Sequence, residues 1–113
     1  MSASASVPGA LEERIRALGP WFHDLEIHGI RTAPDHPLGG FLPDLWRQVE
    51  PAFPEEMTGA TVLDIGCNAG FYSLRLHERG ARVTGIEHDP RYLEQARFAA
   101  AALGAAANRA CSR

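Results

Sequence analysis

Val62-Leu63-Asp64-Ile65-Gly66-Cys67-Asn68-Ala69-Gly70-Phe71 decides the fold. Thr61–Ile65 is a β-branched and apolar run bounded by Gly59 and Gly66. A short run that is apolar on successive positions suits a strand buried on both faces, as in a parallel sheet. Gly66, directly after that strand, lets the chain turn sharply and brings backbone N–H groups close to a ligand. Gly70 lets the next helix start close against the same ligand.

Downstream, Phe71–Arg79 reads as a helix closed by Gly80, and Ala81–Glu87 as a second strand with Val83 and Ile86 as its main apolar residues. Asp89 and Pro90 form a favourable cap and first position for a further helix. That helix carries Leu93, Ala96, Ala100 and Leu103 on one stripe and stops near Gly104. The order is strand, glycine loop, helix, strand, helix, with a right-handed crossover expected.

Upstream, Leu11, Ile15 and Leu18 recur at helical spacing until Gly19 and Pro20 stop them. Trp21 to Gly40 reads as irregular connection, with a short extended stretch around Glu26 to Ile30. Pro43 suits the first turn of a short helix whose apolar residues are Leu45, Trp46 and Val49, ending at Pro51. Trp21, Phe22 and Trp46 are expected as core anchors of this N-terminal cap. His23, His28, Asp35 and His36 lack a regular ligand pair, so loop hydrogen bonding is expected of them and no metal site. Arg75, Arg79, Arg82, Arg91 and Arg97 read as solvated charges.

Composition excludes several classes. The chain has 113 residues, 45% of them hydrophobic, and a net charge of -3. These values fit one small globular domain and argue against disorder. No apolar run approaches the ~20 residues that span a bilayer, so no membrane partner is expected. The acidic balance lacks the electrostatic footprint of sequence-independent nucleic-acid binding. All 11 basic residues other than histidine are arginine. Cys67 and Cys111 make neither a disulfide framework nor a zinc knuckle. Met1 to Ala10 lacks the basic and apolar regions of a secretory signal; a disordered lead-in and a cytoplasmic location are the expectations.

Glu87 stands 21 residues after Gly66 at the end of the second strand, where a carboxylate accepts hydrogen bonds from both hydroxyls of a ribose. A nucleoside-containing cofactor is therefore indicated. The spacing Gly-x-x-x-Gly fails the dinucleotide fingerprint Gly-x-Gly-x-x-Gly. Asp64, two residues before the loop, would oppose a pyrophosphate. It suits a ligand that carries a sulfonium and an ammonium group, which describes S-adenosylmethionine.

Val62 to Gly104 resembles the class I S-adenosylmethionine-dependent methyltransferases. Asp64-Ile65-Gly66-Cys67-Asn68-Ala69-Gly70 is similar to their first motif, and Gly85-Ile86-Glu87-His88-Asp89 to the acidic loop after their second strand. Asn68 replaces the usual middle glycine and tolerates a left-handed backbone better than most residues. The words Trp21-Phe22-His23, Pro34-Asp35-His36-Pro37-Leu38-Gly39 and Leu45-Trp46-Arg47 join the Cys67–Ser73 stretch in resembling bacterial methyltransferases related to the tRNA wobble-uridine 5-oxyacetate enzyme. The likeness runs from about Leu18 to Gly104.

The resemblance implies a cofactor site made of Asp64, Gly66, Cys67, Asn68, Ala69, Gly70, Glu87 and His88. The backbone at Gly66, Cys67 and Gly70 would line the methionine part, with Asp64 near its amino group. Glu87 would hold the ribose and His88 would flank the adenine. Methyl transfer is an in-line displacement in which the protein mainly aligns the nucleophile. A general base is needed only where the acceptor loses a proton as it attacks, and no residue is assigned that role. Cys67 reads as a small packing residue, not a nucleophile.

The implied fold is α/β, a Rossmann-like class I methyltransferase fold truncated after about two strands, with an N-terminal helical and loop cap. Its divisions are 1–10 lead-in, 11–59 cap, 60–104 partial S-adenosylmethionine-binding domain and 105–113 tail. The family's sheet has seven strands and this chain supplies the N-terminal half, so a truncated gene product or fragment is expected. Val62, Leu63 and Ile65 then offer an unpaired apolar edge, a route to self-association. A small-molecule acceptor is expected, with RNA open. A non-catalytic remnant is the alternative. The glycine spacing and Asp64 disfavour an NAD-dependent oxidoreductase domain.

Overall fold

A computed structural model of the protein describes residues 2–38, 41–105 and 109–111, with side chains for 9–38 and 41–105. Helix α1 spans Ser2–Ala17. Ile15 and Leu18 are buried at its C-terminal end, and the Trp21 indole donates to the Ile15 carbonyl at 2.7 Å. The helix includes residues that read as a disordered lead-in. It continues through Pro8, which has no N–H for an i→i−4 bond, and Gly9, a poor helix former, so local propensity does not account for this first part of α1.

Strands β1 (Glu26–Ile27) and β2 (Ile30–Arg31) form an antiparallel hairpin. His28 and Gly29, at φ 52° and 85°, supply the two left-handed positions that a two-residue hairpin turn requires. Helix α2 (Phe41–Val49) buries Leu42 and Trp46, four residues apart, and turns Val49 outward. A short 3-10 turn, Glu50–Ala52, follows.

A parallel sheet joins β3 (Thr61–Ile65), β4 (Arg82–Ile86) and β5 (Arg109–Cys111) in that order. Helix α3 (Phe71–Glu78) links β3 to β4, and α4 (Pro90–Ala102) links β4 to β5. Asp89 caps α4 by accepting the Arg91 N–H at 2.9 Å. The buried stripe of α4 is Leu93, Gln95, Ala96 and Ala99, while Leu103 lies outward.

Three expectations need correction. β5 lies in the 105–113 stretch, which shows no apolar strand pattern, so the sheet has three strands and not two. The free edge of β4 offers backbone N–H and C=O groups to any extended segment, and a ladder needs no β-branched side chain. β3 is not buried on both faces: Leu63 is 57% and Ile65 76% exposed. Asp64 points to α3, so its neighbours Leu63 and Ile65 face the opposite side. No described element covers them, and β3 is the sheet edge that the unpaired-edge expectation names. Arg79 is not a solvated charge. Its side chain is only 15% exposed, donates to the Phe53 and Pro54 carbonyls, pairs with Glu50 and lies 5.5 Å over the Trp46 ring.

Cap and sheet share one apolar cluster, in which Ile15, Leu18, Trp21 and Ile27 pack with Phe71, Leu74, Val83 and Ala99. Gln95 is fully buried and donates to the Leu18 and Pro20 carbonyls at 2.8 and 3.0 Å, tying α4 to the end of α1. Among the described residues, no helix is long and apolar enough to cross a membrane.

Candidate cofactor site

Register builds the site. β3 and β4 run parallel with Ile65 opposite Ile86, so Gly66 and Glu87 leave the sheet together at the same end. Gly66, Asn68 and Gly70 have φ of 73°, 54° and 99°, so the loop needs three left-handed residues, and Asn68 is the one that carries a side chain.

The loop's donors are turned onto the protein. Gly66 and Cys67 N–H both donate to the Ile86 carbonyl, at 2.7 and 3.0 Å, and Gly70 N–H donates to the Cys67 carbonyl at 2.9 Å. Asn68 N–H donates to Glu87 Oε1 and Ala69 N–H to Asn68 Oδ1, both at 2.7 Å. Phe71 N–H donates to His23 Nδ1 at 3.2 Å. All six N–H groups from Gly66 to Phe71 are therefore engaged internally. The sequence-based expectation of N–H groups aimed at a ligand is not met, because the left-handed turn at Asn68 folds them back. A Cβ at Gly66 would meet no atom within 4 Å, so the chain's own packing does not demand glycine there.

Acceptors dominate what remains. Glu87 is buried, and its second oxygen accepts the Asp89 N–H at 3.0 Å. Two N–H bonds use about half of a carboxylate's roughly four lone-pair sites. Asp64 accepts from the Ser73 hydroxyl at 2.7 Å and from the Ser73 backbone. Burial nevertheless raises its pKa above the ordinary carboxylate value, outweighing those bonds. Tyr72, in the first turn of α3, has its hydroxyl buried without a partner among the described residues, and burial together with the Asp64 charge raises its pKa.

The other expected site residues also fall at this end of the sheet. Cys67 and Ala69 are buried within the loop, and the Cys67 thiol packs 3.5 Å from the Asn68 carbonyl. His88 follows Glu87 with its side chain 86% exposed, Nδ1 lying 3.6 Å from Glu87 Oε2.

His23 is the residue that local sequence reasoning misses here. It is buried among the cap residues and reaches the start of α3. His28 bonds the Ala102 carbonyl at 2.8 Å, and His36 accepts the Leu38 N–H at 3.0 Å, so these histidines serve loop and helix-end hydrogen bonds. Among the described residues, no three His, Cys, Asp or Glu side chains converge as metal ligands.

This donor set fits some ligands and rejects others. A phosphate or pyrophosphate needs free N–H groups, and this loop offers none. Carboxylates at Asp64 and Glu87 favour hydroxyl and cationic groups, which a ribose and the amino and sulfonium groups of S-adenosylmethionine present.

Comparison with known proteins agrees with that chemistry. Residues 62–112 match a family described as a methyltransferase domain. An uncharacterized methyltransferase of Mycobacteroides abscessus is 40% identical over 53 residues, covering 47% of this chain and 19% of that protein. A ubiquinone biosynthesis O-methyltransferase of a Methylobacterium species is 40% identical over 55 residues, 49% of this chain and 22% of that protein. Among solved structures, the N-terminal domain of EvdMO1 with SAH bound superposes with a TM-score of 0.72 at 26% identity, over 94% of this chain and 45% of that one. A SAM-dependent methyltransferase from Thiobacillus denitrificans in complex with S-adenosyl-L-homocysteine gives a TM-score of 0.57 at 28% identity, over 71% of this chain and 33% of that one.

The chain carries the Rossmann-like fold of class I methyltransferases. The comparisons support S-adenosylmethionine as the cofactor of that fold. The chain spans about a fifth of the length of these curated relatives and less than half of the two solved structures.

Proposed function

We propose that Asp64, the Gly66–Gly70 loop, Glu87 and His88 hold S-adenosylmethionine for methyl transfer to a hydroxyl group of a small molecule. The observation that carries this reading is the inward turn of every loop N–H beside two carboxylates, an arrangement that suits a cationic, ribose-bearing ligand. Glu87 would accept from the ribose hydroxyls, Asp64 would face the amino group, and His88 would flank the adenine. When bound, the cofactor would supply a methyl group activated for in-line displacement by the acceptor oxygen, leaving S-adenosylhomocysteine and a proton.

Three observations favour a small acceptor. One relative is named as an O-methyltransferase of ubiquinone biosynthesis. The EvdMO1 N-terminal domain was also crystallised in the presence of SAH and D-fucose. The cap carries an open groove of about 520 Å3, with walls that include Arg16, Ile30, Arg31, Thr32 and His36, within the roughly 300–1,000 Å3 range of small-molecule sites. RNA is the second acceptor class, supported by the cap's resemblance to the tRNA wobble-uridine group. The net charge of -3 and the lack of lysine weigh against it.

Methyl-labelled S-adenosylmethionine supplied with a monosaccharide panel that includes D-fucose, and separately with bulk tRNA, tests the proposal. Label is expected in a monosaccharide. Label in tRNA alone would contradict the small-molecule reading. Label in neither, from a chain that binds the cofactor, would favour the non-catalytic remnant.

A further inference from the structure

We infer that His23 is a positioning residue of the cofactor site, fixing the glycine loop from the cap side through the Phe71 N–H. The inference rests on the cofactor reading above. Helix α3 starts after Gly70, which has no side chain with which to cap it. The first N–H groups of a helix need outside partners. Here Ser73 donates to Asp64, and Phe71 donates to an imidazole that lies 48 residues upstream.

The cap holds that imidazole firmly. The Thr32 hydroxyl donates to the His23 carbonyl at 2.6 Å and accepts the Leu25 N–H at 2.8 Å. Asp24 accepts the Ala33 N–H at 3.1 Å. The His23 ring sits edge-on to Phe71 at 6.4 Å and against Phe22 at 5.9 Å. Accepting through Nδ1 requires a neutral ring with its proton on Nε2. A neutral acceptor also suits the positive end of α3, where an imidazolium would be repelled.

The loop is thus pinned on two sides. Glu87, at the end of β4, takes the Asn68 N–H, and His23, from the cap, takes the Phe71 N–H. His23 thus ties the cap to the start of α3. His23 itself need not touch the cofactor.

The test is calorimetric titration of the full chain and its variants with S-adenosylmethionine, together with their melting temperatures. In His23→Asn the side-chain amide oxygen occupies nearly the position of the imidazole Nδ1, so this variant is expected to bind within about threefold of wild type. His23→Leu removes the acceptor and His23→Gln displaces it by one methylene. Both are expected to bind about tenfold more weakly, as an orphaned buried N–H predicts. Trp21→Phe breaks a cap hydrogen bond that does not reach the loop, and is expected to lower the melting temperature with affinity unchanged. His23→Leu or His23→Gln binding like wild type would overturn the inference. So would His23→Asn binding no better than His23→Leu, or Trp21→Phe weakening affinity as much. A folded wild type that does not bind would overturn the cofactor reading itself.

Discussion

Acidification from about pH 6.5 to about 4 is expected to remove on the order of 3 kcal/mol of stability through His23 alone. Burial lowers the His23 pKa from 6.5 to about 4, against a smaller upward pull from Glu87. Between those two values the unfolded chain binds a proton at this residue and the folded chain does not, so stability rises with pH across the window. The contribution is complete above 6.5 and is lost as pH falls through about 4. Asp64 acts in the opposite direction: burial raises its pKa, so the cost of keeping it ionised is relieved as pH falls through that raised value. Urea midpoints measured at half-unit steps from pH 7 to 4 check this. His23→Asn should flatten the loss, and an unchanged pH dependence in that variant would contradict the assignment.

Gly80→Ala is expected to cost about 3 kcal/mol, the sum of a left-handed penalty and a backbone clash. Gly80 has φ 97°, and a Cβ there would lie 2.7 Å from Thr58 Oγ1, 3.1 Å from Thr58 N and 3.2 Å from Thr58 Cα. Rotation of the Thr58 side chain would relieve only the first contact. The crowding has a purpose in the fold. Met57 N–H donates to the Arg79 carbonyl at 2.7 Å, so the chain entering β3 is anchored to the end of α3. That anchor helps to set the register that brings Gly66 and Glu87 to one end. Gly104→Ala is the control: φ is 75°, but a Cβ would meet nothing within 4 Å, so only about 1 kcal/mol is expected. Equal losses in the two variants would contradict this packing account.

The legible features were those with local causes. Thr61–Ile65 declares a strand by its apolar run, Asp89-Pro90 declares a helix start, and Gly80 a helix end. Asn68 fits the left-handed position that its side chain tolerates. The features that stayed hidden depend on partners far along the chain. Nothing near His23 announces Phe71, and nothing near Arg79 announces Phe53, Pro54 or Glu50. The hairpin turn uses His28-Gly29, outside the commonest Asn-Gly signal. β5 is three residues long, too short for a side-chain period to register. The exposure of Leu63 and Ile65 follows from what lies beside β3, which its own sequence does not encode. The direction of the loop N–H groups is likewise not legible in the sequence. That direction follows from the Ile86 carbonyl receiving two of them.

Calorimetric titration of the folded chain with S-adenosylmethionine, with NAD as control and repeated on Glu87→Ala, tests whether the Gly66–Gly70 loop and Glu87 form the cofactor site. Saturable binding of S-adenosylmethionine is expected, with no binding of NAD and affinity at least about tenfold weaker in the variant, as loss of charge-assisted ribose hydrogen bonds implies. Binding of NAD alone, or S-adenosylmethionine affinity unchanged in Glu87→Ala, would contradict it.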